Sequence, residues 1–207
     1  MSLIATLIED LIRWPGGPLG IRLRRAWYRR RLRACGSGLR IEPGVHILGA
    51  RHIGLGDNVW LDRGVTLIAG PSRAGARIVA GPPADGTLEI GADSHLGPGA
   101  IVQAHGGVRI GAAFTASAGA RIYSFSNDPA ACRSGTMPGT DPGYRVTPVE
   151  IGRNVWLGLD ALVIGGRIGD DAFVRPRSVV TGALPAGQVA AGDPARPIRP
   201  RFPEAPG

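Results

Sequence analysis

A chain of 207 residues, 43% of them apolar, is long enough for one domain with an extended core, and 33 Gly with 18 Pro require a turn every few residues. All 24 cationic residues are Arg, which excludes lysine nucleophiles and Schiff bases, and the formal net charge is +8. Cys35 and Cys132 are too far apart for a metal or redox motif and read as free thiols in a reducing compartment; no apolar run is as long as a membrane span, and no signal peptide is expected.

In chain order, residues 2–14 (SLIATLIEDLIRW) place Leu3, Ile4, Leu7, Ile8, Leu11 and Ile12 on one face of a helix that Pro15, Gly16 and Gly17 end. A second helix is predicted from about Leu19 to Ala34, dense in Arg, with Leu23, Trp27 and Leu32 between. Residues 1–40 carry nine Arg against Glu9 and Asp10, so most of the net charge sits at this end. Two roles fit such helices: capping or packing on the rest of the chain, or lying on an anionic bilayer as an interfacial anchor.

From Ile41 the apolar residues recur every sixth position: Ile41, Ile47, Ile53, Val59, Val65. Residues 70–87, rich in Gly and Pro, break the pattern as a loop. It resumes at Ile90, Leu96 and Val102, shifts by two residues to Ile110, Ala116 and Ile122, and fails again over 124–147. It returns with Ile151, Leu157 and Val163, then, one residue short, with Ile168, Val174 and Val180. A period of six is neither helical nor a simple strand alternation; it is two strand residues and a corner, repeated, three to a triangular turn of eighteen residues. Small residues such as Gly152, Gly158 and Gly169 follow the apolar ones, where the backbone turns with positive φ or with little steric room. A long loop inside such a repeat is a candidate for function. The Pro/Arg-rich tail GDPARPIRPRFPEAPG is expected to leave the coil and pack on its side.

The segments IGRNVWLG, IGDDAFVRPRSVVT and AAGDPARPIR resemble the C-terminal signature of hexapeptide-repeat acyltransferases, and PGGPLGIRLRRAWYRRRL resembles the branch that modifies bacterial polysaccharides. The resemblance implies an all-β fold, a left-handed parallel β-helix of hexapeptide repeats over 41–190, with basic amphipathic helices over 1–40, excursions at 70–87 and 124–147, and a tail over 191–207. It further implies a homotrimer that uses acetyl-CoA to O-acetylate a sugar hydroxyl of a polysaccharide or lipid-linked glycan. The alternative is a non-catalytic hexapeptide-repeat protein that binds CoA or glycan. The expected location is cytoplasmic, peripheral on the inner face of the membrane through residues 1–34, with no nucleic-acid partner. No metal is expected, because the last histidine is His105 and three converging ligands are missing.

In the family a catalytic histidine follows a segment like IYSxSH; here Ile122-Tyr123-Ser124-Phe125-Ser126 leads to Asn127. An amide cannot take the acceptor proton, although it can position the acceptor. Three readings stay open: a His→Asn alteration, another base at His105 or Asp128, or binding without catalysis. An unperturbed aspartate is a weak base at neutral pH, which disfavours Asp128. His105, one coil earlier, is a wall residue with Gln103 or an ordinary exposed corner. Ser126 and Trp156 complete the expected substrate contacts. By the same resemblance, Leu159, Ala161 and Pro176 would line the pantetheine arm, and Thr181 and Gly182 lie at the nucleotide end. Arg177, Arg196 and Arg199 would supply cations for the phosphates, a task suited to Arg.

Overall fold

A computed structural model describes residues 3–72, 77–128, 130 and 143–202. The middle of the second excursion, with Cys132, and the end of the tail lie outside the described residues. Two helices open the chain, α1 (Leu3–Arg13) and α2 (Gly17–Arg29), and short strands follow to Pro200. Chain order visits three sheets in strict rotation, and neighbouring strands within each are parallel up to the last coil. The body is therefore a three-sided parallel β-helix. Coiling begins at Ala34–Cys35, earlier than Ile41, because the second helix stops at Arg29.

Register stacks like on like. Leu55, Ile90, Ile110, Ile151 and Ile168 form one inward column. Ile41, Leu61, Leu96, Ala116, Leu157 and Val174 form the second. Ile47, Leu67, Val102, Ile122, Val163 and Val180 form the third. None of these residues is more than 4% exposed. The outward rows give each face a chemistry. The first face carries Glu89, Arg109, Glu150 and Arg167 and is charged. The second carries Trp60, His95, Thr115, Trp156 and Phe173 and is aromatic. The third carries Leu48, Ile68, Ile101, Leu162, Ile164 and Val179 among His46, Thr66, Gln103, Arg121 and Tyr123, and is the most aliphatic of the three.

The six-residue spacing holds at two of the three edges. It fails at the edge where the aliphatic face turns into the charged face. There Ile47 is followed by Leu55 and Val102 by Ile110, eight residues on, and Val163 by Ile168, five on. Both excursions leave from this same edge, after Thr66–Ile68 and after Arg121–Tyr123. The early coils are accordingly longer than eighteen residues. At the regular edges the left-handed backbone falls on residues such as Asn154, Asp160 and Asp171. Gly158, two residues before Asp160, serves close approach instead: an added Cβ there would sit 2.5 Å from the Pro176 nitrogen in the next coil.

The N-terminal helices close one end of the prism. Tyr28 and Leu32 are buried and join its core. Arg24, 1% exposed, donates from Nε to the Ile41 carbonyl (2.9 Å) and from Nη1 to the carbonyls of Ile12 (2.9 Å) and Pro15 (2.7 Å). One guanidinium thus satisfies orphan carbonyls at the C-terminus of α1 and ties them to the first coil. On α1 it is Glu9 that faces inward, accepting from Trp27 Nε1 at 3.2 Å. The tail corrects expectation too: Ala195–Pro200 pairs antiparallel with Gln188–Gly192 and extends the aromatic sheet instead of lying across a side.

Burial, helped by the charge of Glu9, pushes the Tyr28 hydroxyl from its ordinary 10.0 up to about 12. A raised pKa means that stability is full below the unfolded value and is lost as pH rises through the folded one. Urea midpoints should therefore fall between pH 10 and about 12 in the wild type. Tyr28→Phe should flatten that fall; identical slopes for the two proteins would remove Tyr28 from the cap's electrostatics.

Candidate active site

The irregular edge brings together the candidate site. On it, the corner Ala104–Gly107 lies between the roots of the two excursions, one coil from each. His105 occupies this corner, half-buried. Its Nδ1 is 2.8 Å from the carbonyl of Gly70, at the root of the first excursion. A carbonyl only accepts, so this contact puts the proton on Nδ1 and leaves Nε2 with the lone pair. From the second excursion, Phe125 sets its ring edge-on to the imidazole, centroids 5.5 Å apart, and Tyr144 stacks on Phe125 at 4.8 Å. Ser124, fully buried, pins the corner: its Oγ accepts from Gly106 N (3.0 Å) and donates to the Gln103 carbonyl (2.9 Å).

The excursions also pair with each other. Phe125–Asn127 and Tyr144–Val146 form an antiparallel hairpin, and Ile78–Ala80 of the first excursion adds a strand beside Tyr144–Val146. Strand alternation puts Phe125 and Asn127 on one side of this small sheet with Tyr144 and Val146. Asn127 is exposed and shares the side of Phe125, the residue in contact with His105. Ser126 and Arg145 take the other side, and Arg145 Nη2 holds Asp128 Oδ2 at 2.8 Å. The Asp128 Oδ1 atom also accepts from the Ala130 N–H at 2.9 Å. That backbone hydrogen bond, with Arg145 and against burial, holds the carboxyl below its ordinary 3.8. Asp128 is thus a structural anion, poorly suited to the role of base considered for it.

Gln103 lies on the aliphatic face beside Ile68 and Tyr123, and its buried Oε1 has no hydrogen-bond partner among the described residues. Trp156 is not at the junction with the excursion. It belongs to the aromatic face, 46% exposed, where its Nε1 donates to Ser117 Oγ (2.8 Å) and its ring leans on Phe173. The residues proposed for the donor divide between edges. Leu159, Pro176 and Arg177 are exposed on stacked corners between the aromatic and aliphatic faces, with Arg175. Ala161 is fully buried in the core, so its side chain lines no groove. Thr181 and Gly182 are exposed on the irregular edge, the edge of His105. Arg196 and Arg199 are exposed on the last strand. Gly70, Ser124, Phe125, Tyr144 and Arg145 escaped the sequence reading. Of these, Ser124 left a trace: it sits two residues after inward Ile122, at inward parity, where a hydroxyl must find partners.

A three-sided parallel coil of hexapeptides, broken by excursions on one edge, is the fold of hexapeptide-repeat acetyltransferases. One from Vibrio cholerae superposes with a TM-score of 0.60 at 18% identity, covering 97% of this chain and 90% of its own. The N-acyltransferase AntD from Bacillus cereus, solved with dTDP and 3-hydroxybutyryl-CoA, gives 0.71 at 19% identity over 86% of this chain and 88% of its own. In sequence, the galactoside O-acetyltransferase of Escherichia coli is 43% identical over 53 residues, 25% of this chain and 26% of that protein. The matched stretch spans about a quarter of the length of such relatives. No family model matches the chain.

An NMR titration of the Asp128 carboxyl tests its assignment as an anion. Its midpoint should fall below 3.8, and Arg145→Ala should move it upward. A midpoint near neutral pH would return Asp128 to the list of bases.

Proposed function

We propose that the protein is an acetyl-CoA-dependent acyltransferase acting on a sugar hydroxyl of a polysaccharide or lipid-linked glycan, with His105 as its base. The observation that carries the reading is the contact of His105 Nδ1 with the Gly70 carbonyl, which orients Nε2 as an acceptor on the edge where both excursions meet. The acceptor hydroxyl gives its proton to Nε2 while its oxygen attacks the thioester carbonyl. Hydrogen-bond donors facing the carbonyl stabilise the tetrahedral oxyanion. Its collapse forms the ester and breaks the C–S bond, and the imidazolium returns the proton to the departing thiolate. Asn127, exposed on the same side of the hairpin as Phe125, positions the acceptor.

The donor residues support a homotrimer of left-handed prisms, as in the hexapeptide family. Exposed Arg175 and Arg177 suit the phosphates of CoA, and exposed Leu159 and Pro176 suit its pantetheine arm. They stand on one border of the aliphatic face, and His105 stands on the other. A ligand touching both would have to cross that face or bridge two copies. Threefold packing on the aliphatic faces would set the donor border of one copy against the His105 border of the next. The aliphatic outward residues of this face support its being covered.

Release of CoA thiol from acetyl-CoA, measured with a panel of hexoses and amino hexoses as acceptors, tests this reading. His105→Ala should lower turnover by about 10²–10⁴-fold with CoA binding retained, the range for losing a general base. Asn127→Ala should cost far less. Full turnover in His105→Ala moves the base elsewhere, and no CoA binding by calorimetry in any form removes the enzyme.

A further inference from the structure

The apolar face of α1 is turned outward. Leu3 (76% exposed), Ile4 (70%), Leu7 (60%) and Leu11 (75%) form one row along the helix, and Trp14 (69%) continues it. An amphipathic helix packed for stability would bury this row; here the inward residue is Glu9. The orientation is built in. The fully buried Arg24 holds the carbonyls at the end of α1, and Trp27 holds Glu9. Leu19 and Leu23, also exposed, lie on α2 in a solvent stripe with Arg22, Arg29 and Arg30. The two acids of this end are engaged: Glu9 is inside, and Asp10 pairs with Arg13 at 3.0 Å. Both helices thus present exposed apolar side chains to solvent, and α2 presents exposed arginines among them.

We propose that this end of the molecule docks on an anionic lipid bilayer, with α1 lying in the interface. Charge complementarity selects that occupant. A second copy of the chain would bring its own arginines against these, whereas an anionic surface neutralises them while the leucines enter the acyl boundary. Eleven residues span about 16 Å at 1.5 Å per residue, too short for a hydrocarbon core of about 30 Å, so α1 lies on the bilayer and does not cross it. Among the described residues no helix is long and apolar enough to cross a membrane. Docking at this end also bears on chemistry. A depression lined by Glu9 on α1, by Arg31 just after α2 and by Leu48, His52 and Gly70 on the prism runs along the edge that carries His105. A glycan held by a lipid would reach that edge from the bilayer side.

Co-sedimentation of the full chain with phosphatidylcholine vesicles, with and without phosphatidylglycerol, tests the proposal. Binding should be at least tenfold stronger with phosphatidylglycerol and should weaken as salt rises. The double variant Leu7→Glu/Leu11→Glu changes exposed positions only, so its melting temperature should hold while vesicle binding drops at least tenfold. Equal binding by both proteins, or indifference to phosphatidylglycerol, overturns the proposal. So does a variant whose oligomeric mass falls with no vesicle binding in either form, which would assign the row to a second copy. Acetyl transfer to a water-soluble acceptor should be unchanged in the variant, so this test and that of the activity fail separately.

Discussion

Stacking of identical inward positions, coil upon coil, is the constraint from which the rest follows. The prism interior takes a fixed set of aliphatic side chains per layer, such as the pair Val108 and Ile110 from the charged face and single residues Ala116 and Ile122 from the others. The strands bond to their neighbours above and below. A residue added within a face would turn an inward side chain outward, because the strand period is two. Insertions can therefore enter only at corners, and in this chain they enter at one edge. Close packing makes that segregation strict: Leu61, Leu96 and Leu157, each 0% exposed, leave no slack within a column.

Candidate site residues collect where regularity ends. The two excursions leave the same edge two coils apart, so the corner between them is enclosed from both sides. Gly70 from one and Ser124 with Phe125 from the other meet at His105 and Gly106. The third strand from Ile78–Ala80 then locks one excursion to the other. A histidine that would be an ordinary surface residue on a regular corner is given a set tautomer, an aromatic neighbour and a rigid base. The opposite side of the hairpin handles charge: Arg145 and Asp128 neutralise each other there and keep a second ionised group away from the imidazole.

The repeat was legible because its cause is local. Six-residue spacing at Ile151, Leu157 and Val163 reports two strand residues and a corner, whatever the rest of the chain does. Even the two-residue shift before Ile110 and the shortened step before Ile168 were visible, and both mark the irregular edge. What the sequence hid depends on distant pairing. Gly70 and His105 are 35 positions apart, and neither carries a sign of the other. Trp156 looked like a junction residue by its nearness in sequence to the excursion, yet rotation of the coil puts it on another face. Ala161 looked like a groove residue, yet parity turns it inward. The direction of α1 was equally hidden: amphipathicity gives a face, and the contacts of Arg24 with its carbonyl partners and of Trp27 with Glu9 decide which way the face points.

Whether His105 can act as a base rests on the protonation of its imidazole. Long-range ¹H–¹⁵N correlation spectra of ¹⁵N-histidine-labelled protein, at a pH where His105 is neutral, report which ring nitrogen bears hydrogen, and His105→Gln identifies the signal. The geometry at Gly70 requires hydrogen on Nδ1 and a bare Nε2. A neutral ring with its hydrogen on Nε2 would mean that the contact with Gly70 is not a hydrogen bond and that the corner presents no base to an acceptor.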